Sequence, residues 1–216
     1  MRYGLIVFDW DGTLIDSAGP IVECIQQAAR ALGLEVPPDA RARHVIGLGL
    51  RDSLRLAVPD LPPERALEFV ACYRAEFLAR EDQMRLFPGV EAMLRTLRER
   101  GHRLAVATGK SRRGLERALD ASGLRTYFDA SRCADESIPK PDPAMLHELL
   151  RELAARPAQA LMIGDTSHDL EMATAAGVDA VAVCYGAHAA DGLRALSPRA
   201  CIADVGELVE WLRANA

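Results

Sequence analysis

The sequence predicts an α/β fold: a parallel sheet core interrupted by one inserted, all-helical block. Three observations carry this. Short apolar runs recur between amphipathic helical stretches, which is how strands buried on both faces of a parallel sheet read. One long segment breaks the alternation and shows helical periodicity only. Residues able to do chemistry fall where the apolar runs end, the edge at which open parallel sheets bind ligands.

Taken in order, the strand candidates are Tyr3 to Phe8, Arg103 to Thr108, Phe128 to Cys133, Ala160 to Gly164, Ala180 to Cys184 and, more weakly, Ala200 to Ala203. Helical spacing with good helix formers runs from Gly89 to Gly101, Arg112 to Gly123, Pro143 to Ala155, Asp169 to Gly177 and Val205 to Ala214. Gly101, Gly123 and Gly177 stand where C-terminal caps belong. From about Ser17 to Met84 no strand is legible, only Ala-, Leu- and Arg-rich periodicity broken by Pro37-Pro38, Gly47-Leu48-Gly49, Pro59 and Pro62-Pro63. Phe87-Pro88-Gly89 reads as the turn back into the sheet. The expected organisation is therefore an α/β core of residues 1–16 and 85–216, with a helical domain of residues 17–84 inserted near the end of the first strand.

Composition narrows the function. With 216 residues, half of them hydrophobic, a quarter charged and a net charge of −5, the chain is ordinary for a globular protein. No basic cluster exceeds two residues, which argues against a nucleic-acid partner and for a small substrate. Five scattered cysteines, never spaced C-x-x-C, suggest buried thiols in a reducing cytosol and not disulfides or a zinc knuckle. No apolar run reaches membrane-spanning length and no charged-then-apolar leader is evident, so the expectation is a cytoplasmic protein without a membrane partner.

The first strand empties into Asp9-Trp10-Asp11-Gly12-Thr13-Leu14. Two carboxylates so close together disfavour double ionisation unless a cation or a proton compensates. The turn asks for a metal, for phosphate chemistry, or for both. Of 26 basic residues only Lys110 and Lys140 are lysine, a compact ammonium suited to a phosphate site. Thr108-Gly109-Lys110 ends the second strand, Lys140-Pro141 follows the third, and Gly164-Asp165 ends the fourth with Asp169 four residues on.

The four ordered motifs F-D-W-D-G-T-L, A-T-G-K, K-P-D-P and G-D-T-S-H-D resemble those of the haloacid dehalogenase superfamily of phosphatases, and the helical insert is similar to the caps of its phosphoglycolate-phosphatase-like branch. The resemblance spans essentially the whole chain. It implies a Rossmann-like core with a helical cap, and a Mg2+-dependent hydrolysis of a small-metabolite phosphomonoester, phosphoglycolate being the branch's suggestion. Asp9 would be the nucleophile, which splits one hard displacement into two, and Asp11 the general acid and base. The resemblance also implies magnesium ligation by the Asp9 side chain, the Asp11 carbonyl and Asp165, with Asp169 acting through water. Thr108 and Lys140 would serve the phosphate oxygens. Gly12, Thr13 and Gly109 are expected to line the substrate, with Lys110 near the phosphate. His168 is expected to be a surface or structural histidine, since magnesium prefers oxygen.

In the inserted block, Arg43 to Arg51 holds the glycines of a tight loop that could dip toward the phosphate, and Arg51, His44 or Arg43 could hold a second anionic group. A phosphosugar mutase shares the nucleophile, acid and metal and differs in excluding water. A non-catalytic phosphoacceptor switch also combines acids, Thr and Lys at strand ends, but lacks the D-x-D pair with its built-in hydrolytic base. The chain is expected to act as a monomer or a homodimer.

Overall fold

In a computed structural model, which describes residues 2–216, the predicted sheet is present in full. Met1, within the expected 1–16 segment, lies outside the described residues. β1 (Leu5–Phe8) leads into a two-stranded ribbon formed by β2 (Ile15–Asp16) and, much later, β3 (Arg85–Leu86). Between the ribbon's strands run α1 (Ala18–Ala31), α2 (Asp39–His44), α3 (Leu50–Ala57) and α4 (Ala66–Arg80), with short 3-10 turns at Pro63–Arg65 and Glu81–Gln83. The alternation then resumes: α5 (Val90–Glu99), β4 (Arg103–Thr108), α6 (Arg112–Ser122), β5 (Ala130–Cys133), α7 (Ala144–Glu152), β6 (Ala160–Gly164), α8 (Ser167–Ala175), β7 (Asp179–Val183), α9 (Ala190–Ala195), β8 (Cys201–Ile202) and α10 (Val205–Asn215).

The six main strands form one parallel sheet in the order β5-β4-β1-β6-β7-β8. Leu5 to Phe8 alternate between two apolar layers. Ile6 and Phe8 face α5 and α10 with Leu94 and Leu208, while Leu5 and Val7 face α7 and α8 with Leu146 and Met172. Burial on both faces explains why these strands read as continuous apolar runs. The chain leaves β1 toward β4 and β5 on one side and returns to β6 on the other, so the crevice beyond β1 and β6 is the topological switch point.

The inserted helices carry a separate apolar cluster, in which Ile21, Val22 and Ile25 of α1 meet Val45, Ile46, Val58 and Phe69. The ribbon β2-β3 escaped sequence reading because two residues per strand show no period; pairing across 68 intervening residues creates it. Also unread was α9, a six-residue helix with only one fully buried apolar side chain, Leu193. No helix among the described residues is long and apolar enough to cross a membrane.

Candidate active site

At the carboxyl ends of β1 and β6, Asp9, Asp165 and Asp169 come together, each wholly buried, with one oxygen of each lying within 4.8 Å of the others. Each is aimed by local structure. Asp9 continues β1, its backbone N–H donating to the Ile163 carbonyl at 2.9 Å. Asp165 follows β6. Asp169 is N3 of α8 in a capping box: Thr166 donates to its Oδ2 through both backbone N–H and hydroxyl, at 3.1 and 2.7 Å.

Lys140, also fully buried, donates from Nζ to Asp9 Oδ1 and to Asp169 Oδ1, both at 2.6 Å. Burial alone would pull its pKa down, but the carboxylates of Asp169 and Asp9 outweigh it and the ammonium is held charged. Burial pushes the Asp9 carboxyl well above the usual range; Lys140 opposes this, and Asp169 and Asp165 add to it. Asp165 is pushed up to about 7, first by burial and then by Asp169, against the Ala187 N–H and Thr13 hydroxyl that stabilise its charge. Those two donors lie 2.7 and 2.8 Å from its oxygens.

Three buried carboxylates against one ammonium leave a surplus of negative charge. Asp9 Oδ2 has no hydrogen-bond partner, although it is buried. An orphaned carboxylate oxygen within an all-oxygen donor set suits a hard divalent cation, which takes one or two carboxylates and completes its shell with water and substrate oxygens. The residues present therefore fit a divalent metal.

Gly12 makes the cluster this tight. Its φ of +82° closes the turn after Asp11, and a Cβ there would lie 2.2 Å from Asp165 Oδ2. Thr13 serves Asp165, so both residues act on the acid cluster from behind. Thr108 is buried at the end of β4, with its Oγ1 accepting the Lys110 N–H at 3.2 Å.

Asp11 points elsewhere. Its Oδ1 accepts the Ser17 hydroxyl at 2.8 Å, and its Oδ2 lies 3.0 Å from Lys110 Nζ. Lys110, expected beside phosphate, instead stands on Asp11 and over the Phe77 ring of α4 at 4.8 Å. Gly109 does permit a close backbone approach, but the backbone is that of the inserted loop: a Cβ at Gly109 would lie 2.5 Å from the Gly47 carbonyl oxygen. Arg51 is not brought to the acids. It is exposed and lines a second cavity with Arg55 and Pro139, because α3 turns its basic face outward.

Sequence reasoning missed three contributors. Ser17 holds Asp11 from the first residue past the ribbon. Ala187 lends its N–H to Asp165 from the loop after β7. His188 joins His44 and His168 in a cluster across the junction between the inserted helices and the sheet, with rings 5.2 to 5.3 Å apart. The Ser167 N–H donates to His188 Nδ1 at 3.0 Å, and Nε2 of His168 and of His188 both reach the His44 carbonyl, at 2.7 and 3.2 Å. His168 thus ties the start of α8 to the inserted segment through the His44 carbonyl. Three of five histidines in one cluster was a signal only in retrospect, since their spacing in the chain follows no motif.

The comparisons agree with this geometry. The family model for haloacid dehalogenase-like hydrolases matches residues 6–183. A relative named probable phosphatase IndB, from Dickeya dadantii, is 38% identical over 95% of this chain and 91% of its own length. The tyrosine-protein kinase PtkA of Mycobacterium tuberculosis is 37% identical over 87% of this chain, which spans 64% of that protein. A phosphoglycolate phosphatase from Pseudomonas putida is 30% identical over 95% of this chain and 78% of its own length. The crystal structure of a predicted phosphatase from Clostridium acetobutylicum superposes with a TM-score of 0.86 at 25% identity, covering 99% of this chain and all of the other. The strand-end acids, the buried lysine and these likenesses agree: the chain belongs to the haloacid dehalogenase-like hydrolases, the family of its phosphatase relatives.

Proposed function

We propose that the protein is a magnesium-dependent phosphatase that hydrolyses a small phosphomonoester through an aspartyl-phosphate on Asp9. The observation that carries this reading is the unpartnered Asp9 Oδ2 beside a buried Lys140. It is the one carboxylate oxygen of the buried cluster with no hydrogen-bonding task in the fold.

Asp9 attacks phosphorus, the bond to the substrate's alcohol oxygen breaks, and Asp11 gives that oxygen its proton. Asp11 then takes a proton from water as the water attacks the aspartyl-phosphate. The products are the free alcohol and inorganic phosphate, with Asp9 and Asp11 returned to their starting states. Ser17 and Lys110 set the direction of the Asp11 carboxyl, while Lys140 and the Thr108 hydroxyl meet the charge on the transferred group's oxygens. Asp9, Asp165 and the Asp11 carbonyl would hold Mg2+, with Asp169 through water; when bound, the ion offsets repulsion between the carboxylates and the phosphate dianion. Residues 17–84 would move as a cap on the β2-β3 ribbon, admitting substrate and then excluding bulk water.

The test is phosphate release from a panel of phosphomonoesters, phosphoglycolate included, and from the anhydride pyrophosphate, with and without magnesium, with Asp9→Asn protein as the blank. Metal-dependent release by the wild type alone is expected. Equal release by Asp9→Asn would remove the nucleophile from the scheme.

A further inference from the structure

The side of the site on which Asp11 stands is the side by which the alcohol must leave, and that side opens into a cavity of about 440 Å3. This lies within the size range of sites that enclose whole organic ligands. Its floor is Asp11, Gly109 and Lys110. Its far wall is supplied by the inserted helices and is apolar: Ile21 and Ile25 of α1, Leu54 of α3, and Tyr73 and Phe77 of α4. Leu50 and Leu78, which also line it, are large apolar side chains left 38% and 52% exposed.

The cavity is also lined by cations. Lys110 is paired with Asp11, and Arg117 lies 3.5 Å from Glu81. Arg74 and Arg113 line it as well and are exposed. A short leaving group such as glycolate leaves the apolar wall of Ile21, Ile25, Leu54, Tyr73 and Phe77 unfilled. A longer apolar body covers that wall, and each methylene taken from water contributes about 0.8 kcal/mol.

Building on the phosphatase reading, we infer that the substrate is the phosphomonoester of an apolar alcohol, whose aliphatic or aromatic body fills the cavity between α1, α3 and α4 while its phosphate reaches Asp9. The inserted helices select this body by desolvation, while the core side of the cavity, from Asp11 and Gly109 to Arg117 and Asp135, is largely polar. Phosphoglycolate, the expectation from resemblance, is then a poorer substrate than a longer apolar ester.

The experiment compares kcat/KM for ethyl, butyl, hexyl and benzyl phosphate, alcohols of similar leaving ability, with phosphoglycolate as the acidic control. The expected rise is about fourfold per methylene up to butyl and of order 10²-fold from ethyl to hexyl, if each methylene is desolvated. Leu54→Ala should flatten that slope, lowering the hexyl value more than the ethyl value, with the thermal midpoint reported alongside. A flat series, or phosphoglycolate turned over better than hexyl phosphate, overturns the inference and leaves the phosphatase standing. A second arm separates the two claims: binding of hexylphosphonate and methylphosphonate to Asp9→Asn protein with magnesium, by calorimetry. Tighter hexylphosphonate binding with no turnover of any ester would keep the cavity's preference and remove the hydrolase; equal binding of the two would remove the preference.

Discussion

The floor of the site and its roof are built on opposite terms. On the floor, Asp9, Lys140, Asp165 and Asp169 are sealed from water, and every polar atom but Asp9 Oδ2 has a partner at hydrogen-bonding distance. On the roof, α3 and α4 bury only Ala57 and Phe69 fully, and the side chains facing the cavity are mostly apolar and partly covered. The floor is a polar network in which each member is over-determined, so any deletion strands a charge. The roof is a surface whose contacts are individually small and exchangeable. Phosphoryl chemistry that does not vary belongs on the first, and selection among alcohols belongs on the second.

Four changes test that contrast, the largest first. Asp9→Asn should lower kcat by roughly 10⁴-fold or more, because no second nucleophile lies beside it. A circular-dichroism spectrum like that of the wild type would show that the loss is chemical; residual kcat within tenfold of wild type would break the floor's assignment. Lys140→Ala should cost about 10²- to 10³-fold in kcat through lost stabilisation of the developing charge. It should also lower stability by about 3–5 kcal/mol in denaturant melts, since Asp9 and Asp169 lose their buried counter-charge. A stability loss equal to that of a typical surface substitution would mean the floor is less sealed than its geometry implies.

Gly109→Ala joins floor to roof. Its Cβ would meet the Gly47 carbonyl at 2.5 Å and the Leu48 carbonyl at 2.6 Å, so the inserted loop must withdraw. A fall of about tenfold in kcat/KM is expected, carried mainly by KM, because the roof shifts while the acids stay in place. If kcat alone falls, the loop is part of the chemistry and the division between floor and roof fails.

The smallest effect is a pH dependence remote from the chemistry. His102 is buried, its Nδ1 lies 2.8 Å from the Tyr3 carbonyl, and its Nε2 has no partner. Burial lowers its pKa below the ordinary 6.5, although the Tyr3 hydrogen bond opposes the shift. The folded state thus favours the neutral ring. Its contribution to stability is complete above pH 6.5 and is lost as pH falls below that value. His102→Gln should flatten the decline in unfolding free energy as pH falls below 6.5. An unchanged slope would assign that decline to other groups of the core.

Much of this molecule is local, and what is local was legible. A strand buried on both faces must be an unbroken apolar run, so Leu5 to Phe8, Leu104 to Ala107 and Leu161 to Ile163 announced the sheet before any coordinates. A residue immediately after such a run must lie at the sheet's edge. Asp9, Thr108 and Asp165 were therefore found by position, and Lys140 by its rarity in an arginine-rich chain. Gly12 and Asp169 came with the motifs and their family resemblance, and the structure shows a positive-φ turn and a capping box fixing them.

Only the tertiary structure decided what depends on groups distant in sequence. Lys110 reads from spacing as a residue near the phosphate; its contacts with Asp11 and with the Phe77 ring of α4, 33 residues away along the chain, appear only in the structure. The Ala187 N–H reaches Asp165 across 22 residues and Lys140 reaches Asp9 across 131. Arg51 and His44 lie seven residues apart in one segment; the structure turns the first out to solvent and ties the second's carbonyl to two histidines of the core. The apolar character of the cavity is the clearest case, because Ile21, Leu54 and Phe77 each read as ordinary helix core. Only the packing of three helices over Asp11 leaves them facing an empty space, and helix periodicity specifies which residues share a face but not what that face will meet.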